Sequence, residues 1–579
     1  MRERAPKPLY PRVELSFLMS FSQNTSNLQY PEGFELSYNI ESVRAPVLTG
    51  RKLKCFTYFC TGVLGRPILN YMLCKNKFNS VTLLASELEN KFPQIAGVNI
   101  VTSKSSASGE NLDSDLLSNL EYSPAHPRFH SVSHYHNCYL AGSQNPLSLI
   151  KSIIQKAVIL DSQFKFIQQM DEVGAITAAE ESTKLFTRGK PRSIFEGVPI
   201  LFKSDISVKG LLRTKGRKPN HPSNKIMDLD DDVVKFFRDR GAIILGTTVM
   251  HEFGVSTLGY NSWYKGPLNP MDKSCFPGGS SSGCAVAVAL GLVPVAIGRD
   301  GGGSVRIPAA WCGVSGLAPT FGIVPFPGDS TSEVTRVGPI AGCVQDLDLS
   351  LRVLSGKKYD SPPKWSSRKI KLGIFRQWVT DSVSHEVSEV FQGILDYLCN
   401  QGLAELVEIN IPFMKQQQLS HITLLTSTTS FNNRDDYLSG QLEPLTSLQL
   451  NIGNVFSATN LIAARRVRDW AVNEWLRVLT YECDVILTPT APFTAPKIPA
   501  GSEVCGLLNI PLTSASMKYM FPVNLAGLCG LTVPVGDKFI GVQIIGLHNR
   551  ENDCLNLGSL IENSIGPTKP GPFWVDVMK

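Results

Sequence analysis

Between residues 148 and 575 short apolar runs alternate with longer amphipathic stretches, and this alternation constrains the fold more than any other feature of the chain. The runs of strand length are Gly197–Phe202, Ala242–Gly246, Val293–Ile297, Lys371–Phe375, Val485–Leu487, Leu531–Val535 and Gly541–Ile545. Among them, Leu149–Leu160, Ala175–Leu185 and Asp231–Arg240 carry apolar residues at helical spacing. Strands alternating with helices predict an α/β fold: a central, twisted, parallel or mixed sheet with helices on both faces. No repeat of fixed period and no clean linker divides this region.

The first 150 residues read differently. Residues 1–97 form an N-terminal extension with an amphipathic helical segment at 53–75, as one helix or two. Lys54 and the Arg66-Pro67 pair interrupt it, so it cannot cross a bilayer, but Tyr58, Phe59 and Tyr71 suit an interface. Residues 98–145 are rich in Ser, Asn, Asp and His, and read as a loop or disordered insert. His126, His130, His134 and His136 could gather a metal, but without accompanying Cys or helix signals they read as loop residues. The N-terminus is charged and broken by proline, unlike a secretory signal, so an intracellular protein is expected. The thirteen cysteines show no CxxC pair, which argues against structural zinc and a disulfide framework. A net charge of +6 over 579 residues lacks the concentrated basic stripe of a dedicated nucleic-acid binder.

Three stretches carry chemistry. Gly197-Val-Pro-Ile-Leu-Phe-Lys-Ser-Asp205 closes an apolar run on Lys203. Desolvation favours the neutral amine, which is a usable general base, although Lys203 could simply pair with Asp205. Phe276-Pro-Gly-Gly-Ser-Ser-Ser-Gly283 opens a helix of small residues. It lacks the lysine of a phosphate-binding P-loop. Its formal G-x-S-x-G match, which would single out Ser281, has no strand leading into it. Gly298-Arg-Asp-Gly-Gly-Gly-Ser-Val-Arg-Ile-Pro308 puts three glycines at a strand end. Their amides can converge as an oxyanion hole beside Ser304, or form a plain tight turn. Arg306 is the expected partner of Asp300. Together, a buried lysine and two serines make a proton path for acyl transfer without histidine.

The segment from Phe276 to Thr320, with a spacing of 24 residues between Ser280 and Ser304 and Lys203 upstream, resembles the amidase signature. Within that family the likeness is closest to plant-type fatty acid amide hydrolases. It rests on Met250–Ser262, Ala45–Gly50, Thr488–Pro496 and Asn524–Pro534, and spans about 45–95 and 150–575. The resemblance implies a catalytic domain at 148–575 with the amidase-signature fold. It implies Ser304 as acylated nucleophile, Ser280 as bridging serine in a cis peptide arrangement, and Lys203 as base. The N–H groups of Gly301, Gly302, Gly303 and Ser304 would form the oxyanion hole, and no cofactor or metal would be needed.

Two positions depart from the family pattern. Arg299 stands where threonine is usual, and would pair with Asp300 or disturb the loop behind the oxyanion hole. Ser204 stands at a commonly acidic position, with Asp205 following at once. The expected reaction is hydrolysis of fatty acid amides such as N-acylethanolamines. The alternatives are a short-chain or aryl amidase, the glutamine-hydrolysing component of a tRNA-dependent amidotransferase, and an inactive binding protein on the same fold. A small lipid amide is the expected partner, with no nucleic acid. Peripheral contact with the endoplasmic reticulum or another internal membrane through 53–75 and a homodimer are both compatible with the sequence.

Overall fold

A computed structural model describes residues 45–62, 65–91, 128–325, 332–355, 368–536, 540–566 and 569–579. Eleven strands among them form one sheet: β1 (Ile167–Met170), β2 (Pro199–Lys203), β3 (Ile243–Thr248), β4 (Val295–Asp300), β5 (Ser315–Ala318), β6 (Arg336–Ala341), β7 (Ile370–Ile374), β8 (Ala404–Glu408), β9 (Val485–Pro489), β10 (Cys529–Val535) and β11 (Ile540–Gly546). Their spatial order is β8-β7-β9-β11-β10-β5-β6-β4-β2-β3-β1. β4-β2-β3 and β8-β7-β9 pair in parallel. The strands between those trios, and β1 at the edge, pair antiparallel. The sheet is therefore mixed, as the sequence predicts. Every residue of β2, β3, β4, β10 and β11 is buried, which is why these strands read as continuous apolar runs rather than alternating ones.

One strand extends past its apolar run. The sequence ends it at Ile297, but β4 continues through Gly298, Arg299 and Asp300, paired with Gly338, Val337 and Arg336 of β6. Backbone pairing sustains the strand, and buried partners neutralise its polar end.

The N-terminal helices are α1 (Gly50–Thr61), α2 (Gly65–Lys75) and α3 (Asn79–Lys91). Residues 53–75 are thus two helices. Leu53, Cys60 and Leu69 pack with Leu445, Leu448 and Leu508 in a small cluster apart from the main core, and residues 48–49 pair with 507–508. Tyr58, Phe59 and Tyr71 stay exposed.

The insert reading of 98–145 fails over 128–145; residues 98–127, His126 included, lie outside the described residues. Helix α4 (Val132–Leu140) begins at Ser131, whose side chain caps the His134 N–H. Val132, Tyr135 and Tyr139 form its buried i, i+3, i+7 face. Two of those three are tyrosines among histidines, so the apolar period was hidden. His130 binds Asp576 at 2.7 Å and stacks on His134. His136 is buried against Phe186, and burial pulls its pKa down to about 4. Among the described residues no cluster of His, Cys, Asp or Glu is arranged to hold a metal, and all thirteen cysteines are free.

Candidate active site

β2 and β4 run parallel, so their C-terminal ends meet at one edge of the sheet, where open α/β sheets place ligands. Lys203 is the last residue of β2, and Gly301–Ser304 follow β4. Ser280 stands just before a helix of small residues, α5 (Ser282–Ala289), which is buried throughout. Its glycine and alanines let the serine loop approach the sheet.

Lys203 Nζ donates to Ser280 Oγ at 2.7 Å and lies 3.4 Å from the Arg299 carbonyl oxygen. The Gly279–Ser280 peptide is cis. Ser281 Oγ donates to the Arg299 carbonyl and accepts from the Arg299 N–H, at 3.2 and 3.3 Å. The Ser281 N–H donates to the Ser304 carbonyl at 3.0 Å. These bonds tie the serine loop to the glycine loop, and Ser281 is engaged in them rather than presented as a nucleophile. Ser280 and Ser304 line one cavity together with Lys203.

Burial pushes the Lys203 ammonium pKa down; Asp205 pulls it back up, and Arg299 lowers it further. Asp205 Oδ2 is 4.0 Å from Lys203 Nζ, so the lysine reaches both serine and carboxylate. Burial disfavours the Asp205 carboxylate, but Lys203, Arg299, Arg213 and Lys215 together hold its pKa below the usual value. Arg299 does not pair with Asp300. Its Nη1 lies 3.6 Å from Asp205 Oδ2, because Asp300 is already engaged by Arg306 at 2.8 Å.

That second pair organises the glycine loop. Asp300 accepts from the N–H groups of Gly303 at 2.8 Å and Val305 at 3.0 Å, and from the Asn524 amide at 2.9 Å. Arg306 also donates to Gln543 and Asn524. Burial would raise the Asp300 pKa, yet Arg306 and these donors hold it far below the carboxylate range. Gly303 has φ +97°, where a side chain would be strained, and an added Cβ would collide with Met520.

The four-amide oxyanion expectation needs one correction. The Gly303 N–H is directed at Asp300. Among the described residues, the N–H groups of Gly301, Gly302 and Ser304 donate to no protein acceptor.

Sequence reasoning missed His421. It lies in α6 (Met414–Asn432), fully buried, with Nε2 2.7 Å from the Gly301 carbonyl oxygen. Burial pulls its pKa to about 4, so the ring is neutral and donates through Nε2. Nothing near His421 in the sequence marks this role. Asn524 and Gln543 stood in recognisable segments, but only the fold joins Asn524 to Asp300 and Gln543 to Arg306.

The cavity encloses about 230 Å³. Away from Lys203 its lining is mixed: Leu69, Met72 and Phe78 from the N-terminal region, Ile422 and Leu425 from α6, and Met517 stand beside polar residues such as Thr429, Asn432 and Gln449.

Residues 148–555 match the family described as Amidase. The chain is 30% identical to a fatty acid amide hydrolase of Arabidopsis thaliana, over 94% of this chain and 97% of that one. It is 28% identical to a glutamyl-tRNA(Gln) amidotransferase subunit of Thermoanaerobacter pseudethanolicus, over 72% and 93%. An amidase crystal structure superposes with a TM-score of 0.68 at 24% identity, covering 75% of this chain and all of that one, a likeness of fold.

Proposed function

The chain belongs to the amidase signature family of amide hydrolases, and from that membership we propose that it hydrolyses fatty acid amides such as N-acylethanolamines to free fatty acid and amine. The observation that carries this reading is the continuity of one cavity. Lys203, Ser280 and Ser304 line it together with apolar side chains that include Leu69, Met72 and Phe78 of the N-terminal region, interspersed with polar ones such as Thr429, Asn432 and Gln449. A long acyl chain buried there gains about 0.8 kcal/mol per methylene. A short amide or glutamine has no such use for it. Likeness to the plant fatty acid amide hydrolases over 94% of the chain supports the same substrate class, whereas likeness to the amidotransferase component covers 72%.

In this reading neutral Lys203 takes the proton of Ser280 while Ser280 takes that of Ser304. Ser304 Oγ then bonds to the amide carbonyl carbon. The carbonyl oxygen becomes an oxyanion facing the N–H groups of Gly301, Gly302 and Ser304, which are fixed in place before charge develops. The proton returns from Lys203 through Ser280 to the amide nitrogen, the C–N bond breaks, and the amine leaves. Water, deprotonated by the same route, then hydrolyses the Ser304 ester. Protonating nitrogen matters because an amide anion is a very poor leaving group.

The test is a panel of a long-chain N-acylethanolamine, oleamide, a short aryl amide and glutamine, offered to wild type and Ser304→Ala. Long-chain turnover that the variant abolishes is the expected result. Turnover of the short amides or glutamine alone would replace the lipid substrate with theirs.

A further inference from the structure

The proton route gives no role to Glu443, which is fully buried just before helix α7 (Pro444–Val455). Glu443 is bonded twice to one short stretch of chain. Its N–H donates to Glu252 Oε2 at 2.8 Å, and its Oε1 accepts from the N–H and the hydroxyl of Ser262, at 2.8 and 2.5 Å. Glu252 is fully buried too, and its Oε1 accepts from the Trp263 indole N–H at 3.2 Å. Burying two carboxylates is costly unless hydrogen bonds compensate them. Here the compensating bonds join residues 191 and 181 positions apart in the chain.

The two sides of this clamp line different parts of the cavity. Between Glu252 and Ser262 lie Phe253, Gly254 and Thr257, which border it. Gly254 packs on the bridging serine: a Cβ added there would stand 3.0 Å from Ser280 Oγ. Phe253 has φ +49°, a region that a bulky side chain keeps only where its surroundings hold it. Glu252, immediately before it, is held on both carboxylate oxygens, and the Phe253 N–H donates to the Lys215 carbonyl at 2.9 Å. On the other side, α7 contributes Gln449, Leu450 and Ile452 to the lining. It also carries the N-terminal helices. Thr57 of α1 donates to the Pro444 carbonyl at 3.2 Å, and the Asn451 amide donates to the Cys60 carbonyl at 2.7 Å. Leu445 and Leu448 pack with Leu53 and Leu69, and Leu69 and Met72 of α2 reach the cavity in turn. The wall that α7 and α2 build is thus tied through Glu443 to the turn behind Ser280.

We propose that Glu443 and Glu252 are positioning residues: they set how far the wall of α7 and α2 stands from the serines, and through that distance the preference for long acyl chains. The inference rests on the reading of the chain as a fatty acid amide hydrolase and names what fixes chain-length preference at the same site.

The experiment measures kcat/KM for N-palmitoylethanolamine and N-hexanoylethanolamine, which differ only in acyl length, in wild type, Glu443→Ala, Glu443→Gln and Ser262→Ala. Glu443→Ala lowers the ratio of long to short about tenfold, chiefly through the KM of the long substrate, as expected for the loss of one buried hydrogen-bond partner. Glu443→Gln keeps an oxygen that accepts from Ser262 and recovers most of the ratio. Ser262→Ala removes one hydroxyl and no buried charge; it lowers the ratio about threefold, and decides the question if Glu443→Ala does not fold. Equal losses on the two substrates, or an unchanged ratio, in the variants that fold overturn the inference and leave the parent reading standing. Wild type that cleaves neither ethanolamide, or only the short one, removes the parent reading and this one with it.

Discussion

His421 Nε2 lies 2.7 Å from the carbonyl oxygen of Gly301, so a neutral imidazole from α6 holds the first residue of the loop that ends in Ser304. An added Cβ at Gly302 would stand 3.1 Å from the same ring, so the ring also packs against the next residue of that loop. His421→Phe keeps a ring but strands the Gly301 carbonyl. Losing a buried partner costs about 1–3 kcal/mol, so kcat should fall roughly 10- to 100-fold with little change in KM. His421→Gln, which keeps an N–H donor, should recover part of the loss. Equal damage to kcat and KM in both variants would assign His421 to folding alone.

The same histidine should make stability sensitive to acid. Its folded pKa is about 4 against 6.5 in the unfolded chain, so between those values the unfolded state binds the extra proton. Stability therefore rises with pH across that window, by as much as roughly 3 kcal/mol from this residue. Urea melts between pH 4.5 and 6.5 should show a shallower slope in His421→Gln than in wild type. Parallel slopes would contradict a buried neutral ring.

In the proposed mechanism Lys203 and Asp205 set the acid limb of the pH–rate profile. With the neutral lysine as base, kcat/KM should rise as pH increases through its pKa, which burial places below the ordinary value. Asp205 pulls that pKa up and Arg299 pushes it down. Asp205→Asn should therefore move the limb to lower pH, and Arg299→Gln to higher pH. Lys203→Met should lose about 10²- to 10⁴-fold in kcat at every pH. Shifts in the same direction for the two charge variants would remove Lys203 as the base.

Asp300 and Arg306 form a fully buried pair 2.8 Å apart. Arg306→Ala leaves a buried carboxylate uncompensated, and should cost about 3–5 kcal/mol, read as a lower urea midpoint. Replacing both residues by apolar ones of similar volume should cost less stability than the single change. It should nevertheless abolish activity, because the Gly303 and Val305 N–H groups lose their acceptor and the loop loses its shape.

How far the sequence reached follows from the range of each interaction. That Lys203, Ser280 and Ser304 meet in one cavity was legible because apolar runs and glycine loops mark a strand end and a helix start within a few residues. The mixed sheet was legible because strands buried on both faces are apolar throughout. The pairing of Arg299 with Asp205 rather than its neighbour Asp300 was not, since it depends on Arg306 reaching Asp300 first. His421 sits 120 residues from the carbonyl it binds, a distance that only the closed fold spans. The extension of β4 to Asp300 was hidden because backbone pairing with β6 leaves no polarity pattern in the sequence.

Helices α1 and α2 present opposite faces to different surroundings. Leu53, Thr57 and Cys60 of α1 and Leu69 of α2 are buried. Tyr58, Phe59 and Tyr71 project outward at 77%, 60% and 63% exposure, among the exposed cations Arg51, Lys52, Lys54, Arg66 and Lys75. Residues 50–78 contain no acidic side chain. Among the described residues no helix is long and apolar enough to cross a membrane, so contact would be with its surface. Aromatic rings at headgroup depth with cations around them favour an anionic interface, by about 1 kcal/mol for each Lys or Arg near it. α2 also supplies Leu69 and Met72 to the cavity lining, which would put an acyl chain leaving the bilayer one helix away from Ser304. The chain should therefore sediment with vesicles containing phosphatidylserine, less so at high salt, and weakly with phosphatidylcholine alone. Combining Tyr58→Ser, Phe59→Ser and Tyr71→Ser should cut that binding at least tenfold and raise KM for vesicle-borne amides, while leaving turnover of a water-soluble short amide unchanged. Undiminished vesicle binding by the triple variant would place the membrane contact elsewhere on the chain.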